Sequence, residues 1–352
     1  MVDLRTKLYV ASSFLRARLF KKKLPLLVGW SVTGRCNRDC FYCNSKTPGR
    51  ELSAKEALGV LDQLAAAGTK LVQFTGGEPL LRDDIGQLIR HAKSKNLLVN
   101  LSSNGALVPE KIKEIVGVDV LNLSLEGPSN VHDGLKGQGS YEEVMRALEV
   151  ALRYGINVRL CMTLNGMNLG EADHVLGIAK KYSVKVFFQP AISSKLLVHP
   201  DPFIAAPEAF RKKINELIIK KKSGTDFIGN SLSSLRYFLN WPDKRSIFCG
   251  AGIIFCRFEP DGTMYPCSRT IEQDYAIKWE GDCMGSFSKL KNACCQACWA
   301  NSLLEVNLLL SLDFRAMFDS LKGVASTGYG KRIEPPPGVQ SFKDLFDSGS
   351  PS

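Results

Sequence analysis

The chain has 352 residues, of which 45% are hydrophobic, and its 46 Lys and Arg against 35 Asp and Glu give a formal net charge of +11. This length and composition suffice to bury a substantial core in one large domain and a smaller one. The eleven cysteines, in a chain without a recognisable secretory signal, indicate a reducing cytoplasm, where clustered thiols serve as metal ligands rather than disulfides. Every apolar run is shorter than the roughly 20 residues that cross a bilayer, so a soluble or peripheral protein is expected.

The first 23 residues are the most basic part of the chain. They carry seven Lys and Arg and a single Asp, for a net charge of +6. Five apolar residues recur there at helical spacing: Leu4, Leu8, Ala11, Leu15 and Leu19. This pattern predicts a basic amphipathic helix, which either lies on an anionic membrane surface or packs on the rest of the protein. Nucleic-acid binding is not expected, because the basic segment lacks interleaved aromatic residues.

From residue 24 onwards, strand-like and helical segments alternate. Runs rich in Val, Leu and Phe predict six buried strands, at 24–33, 71–75, 97–102, 118–125, 158–164 and 184–188. Amphipathic helices are predicted between and after them, at 53–68, 83–95, 109–115, 140–154, 170–182 and 206–222. The first of these opens with a capping box at Ser53 and Glu56. This alternation predicts an α/β fold with a parallel sheet, two βα units short of a closed eight-stranded barrel.

Three cysteines follow the first predicted strand: Cys36, Cys40 and Cys43, in Thr-Gly-Arg-Cys-Asn-Arg-Asp-Cys-Phe-Tyr-Cys. A closed structural metal site uses four protein ligands, whereas three thiolates on a cubane iron-sulfur cluster leave one iron free to bind a reactant. The C-x3-C-x2-C spacing, with an aromatic residue before the last Cys, resembles the signature of the radical S-adenosylmethionine (SAM) enzymes. A zinc knuckle or partial ferredoxin site is the alternative, but such sites supply a fourth ligand nearby, and the next cysteine is Cys161.

A second motif, Gly76-Gly77-Glu78-Pro79, follows the second predicted strand. It resembles the element of the same superfamily whose backbone and side-chain acceptors hold the amino group of the SAM methionine. The resemblance implies SAM, a SAM-binding 4Fe-4S cluster and a flavodoxin- or ferredoxin-type electron donor. It also implies a partial (β/α)6 TIM-like barrel whose chemistry gathers at the carboxyl ends of the strands. In such enzymes the reduced cluster cleaves SAM to a 5'-deoxyadenosyl radical, which abstracts hydrogen from the substrate.

Further SAM contacts are expected where the third and fourth strands end. Ser103 and Asn104 follow the third strand, and Ser124 opens the run Ser-Leu-Glu-Gly after the fourth, with Lys136 downstream. The resemblance implies contacts from these stretches to the ribose and the methionine carboxylate. Its usual pattern is Ser-Leu-Asp-Gly with a downstream Arg, and Lys136 binds a carboxylate as a point charge rather than as a fork. Ordinary loop capping is the alternative for each position.

Four further cysteines lie beyond a predicted linker: Cys249, Cys267, Cys295 and Cys298. Asp261-Gly262, between two strand-like runs, predicts a β-hairpin that brings the first two together, and the last two form a C-x2-C pair. The set resembles the twitch module, a shortened form of the SPASM module, which implies a second, auxiliary 4Fe-4S cluster. Zinc held by the same thiols is the alternative, and Cys294 competes with Cys295 as a ligand.

The predicted order is a helix at 1–23, a barrel at 24–222, a linker at 223–248, the auxiliary module at 249–322 and a disordered tail at 323–352. A fully ligated auxiliary cluster is expected to accept the electron of a product radical, which makes the net reaction an oxidation. The expected substrate is a small molecule or a lipid, because only about 25 residues precede the first strand to hold a peptide leader. Peptide maturation and a non-catalytic iron-sulfur or zinc protein are the alternatives, and no pattern marks a general base. The expected location is the cytoplasm, with peripheral contact at the inner membrane surface.

Overall fold

The structure is a computed structural model that describes residues 4–43, 46, 49–192, 203–243, 245–272, 274–293, 295 and 297–311. The predicted tail and Cys294 lie outside the described residues. The strands are β1 Leu27–Thr33, β2 Leu71–Gly76, β3 Leu98–Ser103, β4 Val120–Ser124, β5 Val158–Leu164, β6 Lys185–Pro190, β7 Phe255–Phe258, β8 Thr263–Tyr265 and β9 Ile277–Lys278. The helices are α1 Leu4–Phe20, α2 Ala54–Ala66, α3 Ile85–Ser94, α4 Val108–Ile115, α5 Ser129–Lys136, α6 Ser140–Arg153, α7 Ala172–Lys181, α8 Pro207–Lys222, α9 Leu232–Phe238, α10 Cys283–Lys289 and α11 Asn301–Leu310.

One nine-stranded sheet organises the described part of the chain, in the order β6-β5-β4-β3-β2-β1-β7-β8-β9. The first six strands pair in parallel in sequence order, and helices connect them. The predicted α/β partial barrel is therefore confirmed, and its sheet is open. The predicted hairpin is also present as β7 and β8, but β7 runs parallel to β1, so the hairpin extends the barrel sheet.

Alternation along the strands separates a helix-covered core from the lumen of the barrel. In β5, Val158, Leu160 and Met162 are buried in the main hydrophobic core, while Arg159 and Thr163, at alternate positions, are only partly buried. Successive side chains of a strand point to opposite faces, so the polar residues face the lumen. The lumen is therefore lined by groups that can form hydrogen bonds.

Local signals set the ends of α2. The Ser53 side chain accepts from the backbone N–H of Glu56, and the Glu56 carboxylate accepts from the backbone N–H of Ser53, so the predicted capping box is confirmed. Gly68, just beyond the helix, adopts a positive φ of 91°. Glycine takes this conformation without strain, so the helix stops there and the chain enters β2.

Helix α1 packs on the barrel through a face other than its leucine stripe. Ala17 is fully buried beside Leu26 and Ile254, whereas Leu15 and Leu19 are 53% and 60% exposed. Because Leu26 and Ile254 directly precede β1 and β7, these contacts lay α1 across the amino-terminal end of the barrel. The predicted apolar stripe thus faces away from the protein.

The predicted linker at 223–248 contains helix α9, which packs against α8. Its side-chain cap is Ser231, whose hydroxyl accepts from the backbone N–H of Ser234. Within the described residues, the helices all lack the length and apolar character that a bilayer crossing requires.

Candidate functional site

The first cysteine group lies in the loop that follows β1, at the carboxyl end of the parallel strands. The loop is anchored by backbone hydrogen bonds from Phe41 N to Leu135 O, at 2.9 Å, and from Cys43 N to Cys40 O, at 3.1 Å. Burial raises the pKa of the Cys36 and Cys40 thiols, and the neighbouring thiols of the group raise it further. The three predicted ligands therefore share one loop at the carboxyl end of β1.

The Gly-Gly-Glu-Pro motif packs directly against this cysteine loop. Gly77 N donates to Thr33 O at 3.0 Å, and Glu78 N donates to Arg35 O at 2.8 Å. A Cβ atom on Gly77 would clash with the Arg35 carbonyl and lie 2.9 Å from Cβ of Cys36. The absence of a side chain at Gly77 is thus what lets the two motifs form one surface at the ends of β1 and β2.

The Glu78 carboxylate ties the β2 loop to the β3 loop. Its Oε1 accepts from Ser103 Oγ at 3.0 Å and from Leu80 N at 3.1 Å, and its Oε2 accepts from Asn104 N at 2.8 Å. Burial raises the pKa of Glu78 to about 7, against these hydrogen bonds, which lower it. Asn104 Nδ2 also donates to Asn37 Oδ1 in the cysteine loop, at 2.8 Å. Ser103 and Asn104 therefore lie at the predicted site and help to position Glu78.

Lys136 lies beneath the cysteine loop in a buried polar cluster. Its Nζ is 3.5 Å from Oε1 of Glu126, and the Tyr42 hydroxyl donates to the same oxygen at 3.2 Å. Burial disfavours the Lys136 ammonium, but the charges of its neighbours outweigh burial and raise its pKa. Ser124, the last residue of β4, lies opposite Cys161 of β5. Contact of Lys136 and Ser124 with SAM stays a prediction.

The second cysteine group lines one pocket between the β7–β8 hairpin and α11. All four predicted ligands contribute to it: Cys249, Cys267, Cys295 and Cys298. Burial raises the pKa of Cys249 to about 11 and that of Cys298 to about 12. Cys256 and Cys283 belong instead to the main hydrophobic core.

Two polar side chains share this otherwise apolar pocket, namely Arg269 and Asn307. The Nη1 atom of Arg269 and the Nδ2 atom of Asn307 are buried without a hydrogen-bond partner. Buried donors require acceptors, and an iron-sulfur cluster held by four thiolates is an anion with sulfur acceptors. The donors and the four cysteines therefore fit such a cluster.

These two donors escaped the sequence-based prediction. Asn307 interrupts the apolar run Val306–Leu310 of α11, and a polar residue within such a run was a usable signal. Arg269 follows Cys267 by two residues and resembles any surface arginine in sequence. Among the described residues, no three His, Cys, Asp or Glu side chains are arranged to hold a single metal ion. The fit thus depends on the shared pocket and the buried donors.

A cavity of about 320 Å³ occupies the lumen between β1, β2, β3, β7 and α11. Its wall includes Thr75, which precedes the Gly-Gly-Glu motif, and Cys267 of the second cysteine group. Asn100 also lines it, and the buried Oδ1 atom of this residue has no hydrogen-bond partner. The cavity therefore extends from the strand that carries the first site to the second cysteine group.

Comparison with known proteins adds a family match. Residues 30–178 match the sequence model of the Radical SAM superfamily. The Fe-coproporphyrin III synthase of Methanosarcina barkeri is 31% identical over 173 residues, which are 47% of this chain and 43% of that protein. The mycofactocin maturase MftC of Mycolicibacterium smegmatis is 26% identical over 262 residues, 71% of this chain and 66% of that protein. The chain spans less than half the length of the first three curated relatives.

A solved structure shares the fold. The crystal structure of Streptococcus suis SuiB bound to the precursor peptide SuiA superposes with a TM-score of 0.63, covering 82% of this chain and 71% of that chain. The two sequences are 14% identical, so this likeness concerns the fold alone.

Proposed function

Because residues 30–178 match the sequence model of the Radical SAM superfamily, we propose that the protein oxidises a substrate held in the lumen, between a SAM-binding cluster and an auxiliary cluster. The match confirms the sequence-based recognition of the superfamily, whose cofactors are SAM and iron-sulfur clusters and whose curated relatives named above are enzymes. The oxidative outcome, the individual ligands and the substrate are proposals.

The observation that carries the proposal is the lumen cavity shared by Thr75 and Cys267. Thr75 lies one residue before Gly76 of the SAM-binding motif, and Cys267 belongs to the second cysteine group. A substrate in this cavity lies within reach of both groups. Proximity of this kind lets hydrogen abstraction and electron removal follow one another without release of the radical.

We place the first site on the loops that follow β1 and β2. When bound, the cluster and SAM supply a radical that abstracts hydrogen from carbon. We assign Cys36, Cys40 and Cys43 as the three ligands. The loop from Gly76 to Pro79 binds the methionine part of SAM, and Glu78, held by Ser103 and Asn104, orients that loop. Ser124 and Lys136 complete the pocket on the side of β4.

The second site uses Cys249, Cys267, Cys295 and Cys298 as a closed set of four ligands. With every iron ligated by protein, the site offers no open position to a substrate, so electron transfer is its remaining chemistry. A flavodoxin- or ferredoxin-type protein is the proposed electron donor for the first site, where Cys43 is exposed.

The lining of the cavity combines polar side chains with apolar ones such as Leu71 and Leu303. Gln73, Asn100 and Arg257 lie along its wall, and its volume is at the low end of small-ligand pockets. Amide side chains pair well with peptide groups, and the structural neighbour SuiB binds a precursor peptide. We therefore propose a peptide segment first, a small molecule second and a lipid third.

The test is the release of 5'-deoxyadenosine by the anaerobically reconstituted, reduced protein, with peptide, small-molecule and lipid fractions added separately. Stimulation by the peptide or small-molecule fraction supports the proposal. Asn100→Ala should lower the stimulated rate, because the free Oδ1 of Asn100 lines the cavity. Asn122→Ala, on the adjacent strand and outside that lining, is the control. No SAM cleavage with both clusters present would favour a non-catalytic iron-sulfur protein.

Any contact with a membrane would be made by α1 and not by the lumen cavity. Leu8, Leu15 and Leu19 are exposed and lie roughly half a helical turn around from the buried Ala17. Exposed Arg16, with Lys21 and Lys22 just beyond the helix, supplies positive charge beside this stripe. We propose that the stripe rests on the anionic surface of the inner membrane and that the protein is otherwise cytoplasmic.

The position of α1 determines which end of the barrel would face a membrane. The helix lies at the amino-terminal end of the barrel, whereas the first cysteine loop follows the carboxyl end of β1. A membrane bound by α1 thus faces the end of the barrel opposite the first site. The contact would locate the enzyme at the membrane, and the substrate would enter from the aqueous side.

A further inference from the structure

Arg269 and Asn307 are the only polar side chains besides the cysteines in the pocket that the four cysteines line, within the described residues. Each has a buried nitrogen without a hydrogen-bond partner, Nη1 in Arg269 and Nδ2 in Asn307. The rest of the wall is apolar and includes Phe255 and Leu303. A buried donor needs an acceptor, and in this pocket the cysteine sulfurs and the group that they hold can supply one.

The orientation of Asn307 is fixed by its other atom. Its Oδ1 accepts from the backbone N–H of Gly250 at 2.9 Å, next to Cys249. One residue before Cys249, Phe248 N donates to Ser311 Oγ at 3.1 Å. These two bonds attach the Cys249 segment to α11 and to Ser311 at its end. Rotation of the Asn307 amide would break the bond to Gly250. Nδ2 is thereby held on the opposite side of the amide from Gly250.

The chemistry of the pocket identifies the acceptor. Burial raises the pKa of Cys249 and Cys298, and the Asn307 side chain lowers both, which places its amide beside the two sulfurs. Arg269 brings a permanent positive charge to the same pocket. Hydrogen bonds to cluster sulfurs and nearby positive charge both stabilise the more negative, reduced state of an iron-sulfur cluster.

We propose that Arg269 and Asn307 donate hydrogen bonds to the sulfurs of the auxiliary cluster and raise its reduction potential, so that it accepts an electron from the substrate radical. This proposal rests on the proposed function. The 5'-deoxyadenosyl radical takes a hydrogen atom and becomes 5'-deoxyadenosine, so one C–H bond forms there while a substrate C–H bond breaks and leaves a carbon radical. One electron then passes to the auxiliary cluster and one proton leaves the substrate, which becomes oxidised by two electrons in all. A flavodoxin- or ferredoxin-type acceptor removes the electron from the cluster.

The experiment measures the midpoint potential of the auxiliary cluster in the full chain. Replacement of Cys36, Cys40 and Cys43 by Ala leaves this cluster as the only one, and dye-mediated titration followed by electron paramagnetic resonance then gives its potential. Asn307→Leu and Arg269→Met are compared in this background. Each should lower the potential enough to make electron uptake at least tenfold less favourable, about 59 mV for a one-electron couple.

Asn301→Leu is the matched control, because Asn301 is a buried amide of the same helix that lies outside the pocket lining and pairs with Asn230. The midpoint potential of the auxiliary cluster should stay unchanged in this variant. Unaltered potentials in both Asn307→Leu and Arg269→Met, with four irons retained, would overturn the proposal while leaving the auxiliary cluster in place. A parent protein that holds zinc, or no iron at all, would overturn the auxiliary cluster itself. Arg269→Met preserves a decisive result if Asn307→Leu fails to fold, since Arg269 is only partly buried.

Discussion

Lys136 Nζ lies 3.5 Å from Glu126 Oε1, and the two side chains are 11% and 2% exposed. The same carboxylate oxygen accepts from Tyr42, which stands between Cys40 and Cys43 in the first cysteine loop. The ion pair therefore joins the cysteine loop to the end of β4 and to α5. Lys136 therefore helps to position the cysteine loop, and its contact with SAM stays a prediction.

Replacing Lys136 by Met should destabilise the protein by about 3 kcal/mol, because it leaves the Glu126 carboxylate buried without its cation. The cysteine loop should also lose iron more readily. Urea unfolding and iron content after reconstitution measure the two effects. Lys220→Met, which breaks the largely exposed pair with Asp173, should cost less than about 1 kcal/mol. Equal costs for the two variants would show that burial of the Lys136 pair has no energetic role.

Gly77→Ala should abolish SAM cleavage, because the added Cβ would clash with the Arg35 carbonyl and push the cysteine loop away. The matched control is Gly59→Ala in α2, where nothing lies within 4 Å of the new Cβ. That control should keep full activity and gain up to about 1 kcal/mol of stability from better helix propensity. Anaerobic 5'-deoxyadenosine assays compare the two, and an active Gly77→Ala enzyme would contradict the proposed approach of the two motifs.

Cys295→Ala should remove the auxiliary cluster and lower product formation more than SAM cleavage, because Cys295 lines the pocket with the other three cysteines. Iron analysis and the ratio of product to 5'-deoxyadenosine report this. The complementary variant, with Ala at Cys36, Cys40 and Cys43, should lose SAM cleavage and retain the second cluster. Unaltered iron content in Cys295→Ala would transfer the ligand role to Cys294.

His132 should make the protein less stable at acidic pH. It is 1% exposed, and its Nδ1 accepts from the backbone N–H of Glu126 at 3.1 Å. Burial and the Lys136 charge lower the pKa of His132 to about 3. The unfolded chain, with a histidine pKa of about 6.5, binds the proton first, so stability is full above pH 6.5 and is lost as pH falls towards 3.

The expected loss between pH 8 and 5.5 is about 1.4 kcal/mol of unfolding free energy. His132→Asn keeps an acceptor for the Glu126 N–H and cannot titrate. The difference between the two proteins in urea unfolding should therefore change with pH by that amount. Parallel pH profiles for the two proteins would show that His132 does not contribute.

Leu15→Ser with Leu19→Ser should reduce binding to vesicles that contain anionic lipid by roughly tenfold or more, since two exposed leucines leave the bilayer contact. Co-sedimentation with anionic and neutral vesicles measures this. Ile219→Ser on α8 removes an apolar side chain of similar exposure, 65%, and should have no effect. Loss of self-association rather than vesicle binding in the leucine variant would assign the stripe to a second copy of the chain.

Several features of this protein were predictable from sequence because short-range patterns carry them. The apolar runs predicted the strands β1 to β6, and Ser53 with Glu56 predicted the start of α2. The spacing of Cys36, Cys40 and Cys43 and the motif at Gly76 identified the superfamily. Each of these signals lies within about ten neighbouring residues, so no knowledge of packing is needed to recognise it.

The remaining features required tertiary structure. Nothing local at Phe255 shows that β7 pairs with β1, and the leucine stripe of α1 does not reveal that the face with the small Ala17 packs on the barrel. The pairing of Lys136 with Glu126 depends on the short helix α5, whose polar sequence gave no helical pattern. The sequence by itself determined the strands and the cysteine motifs. Contacts between distant residues decided which donors, charges and helix faces meet, because burial and pairing energies exist only once those residues are brought together.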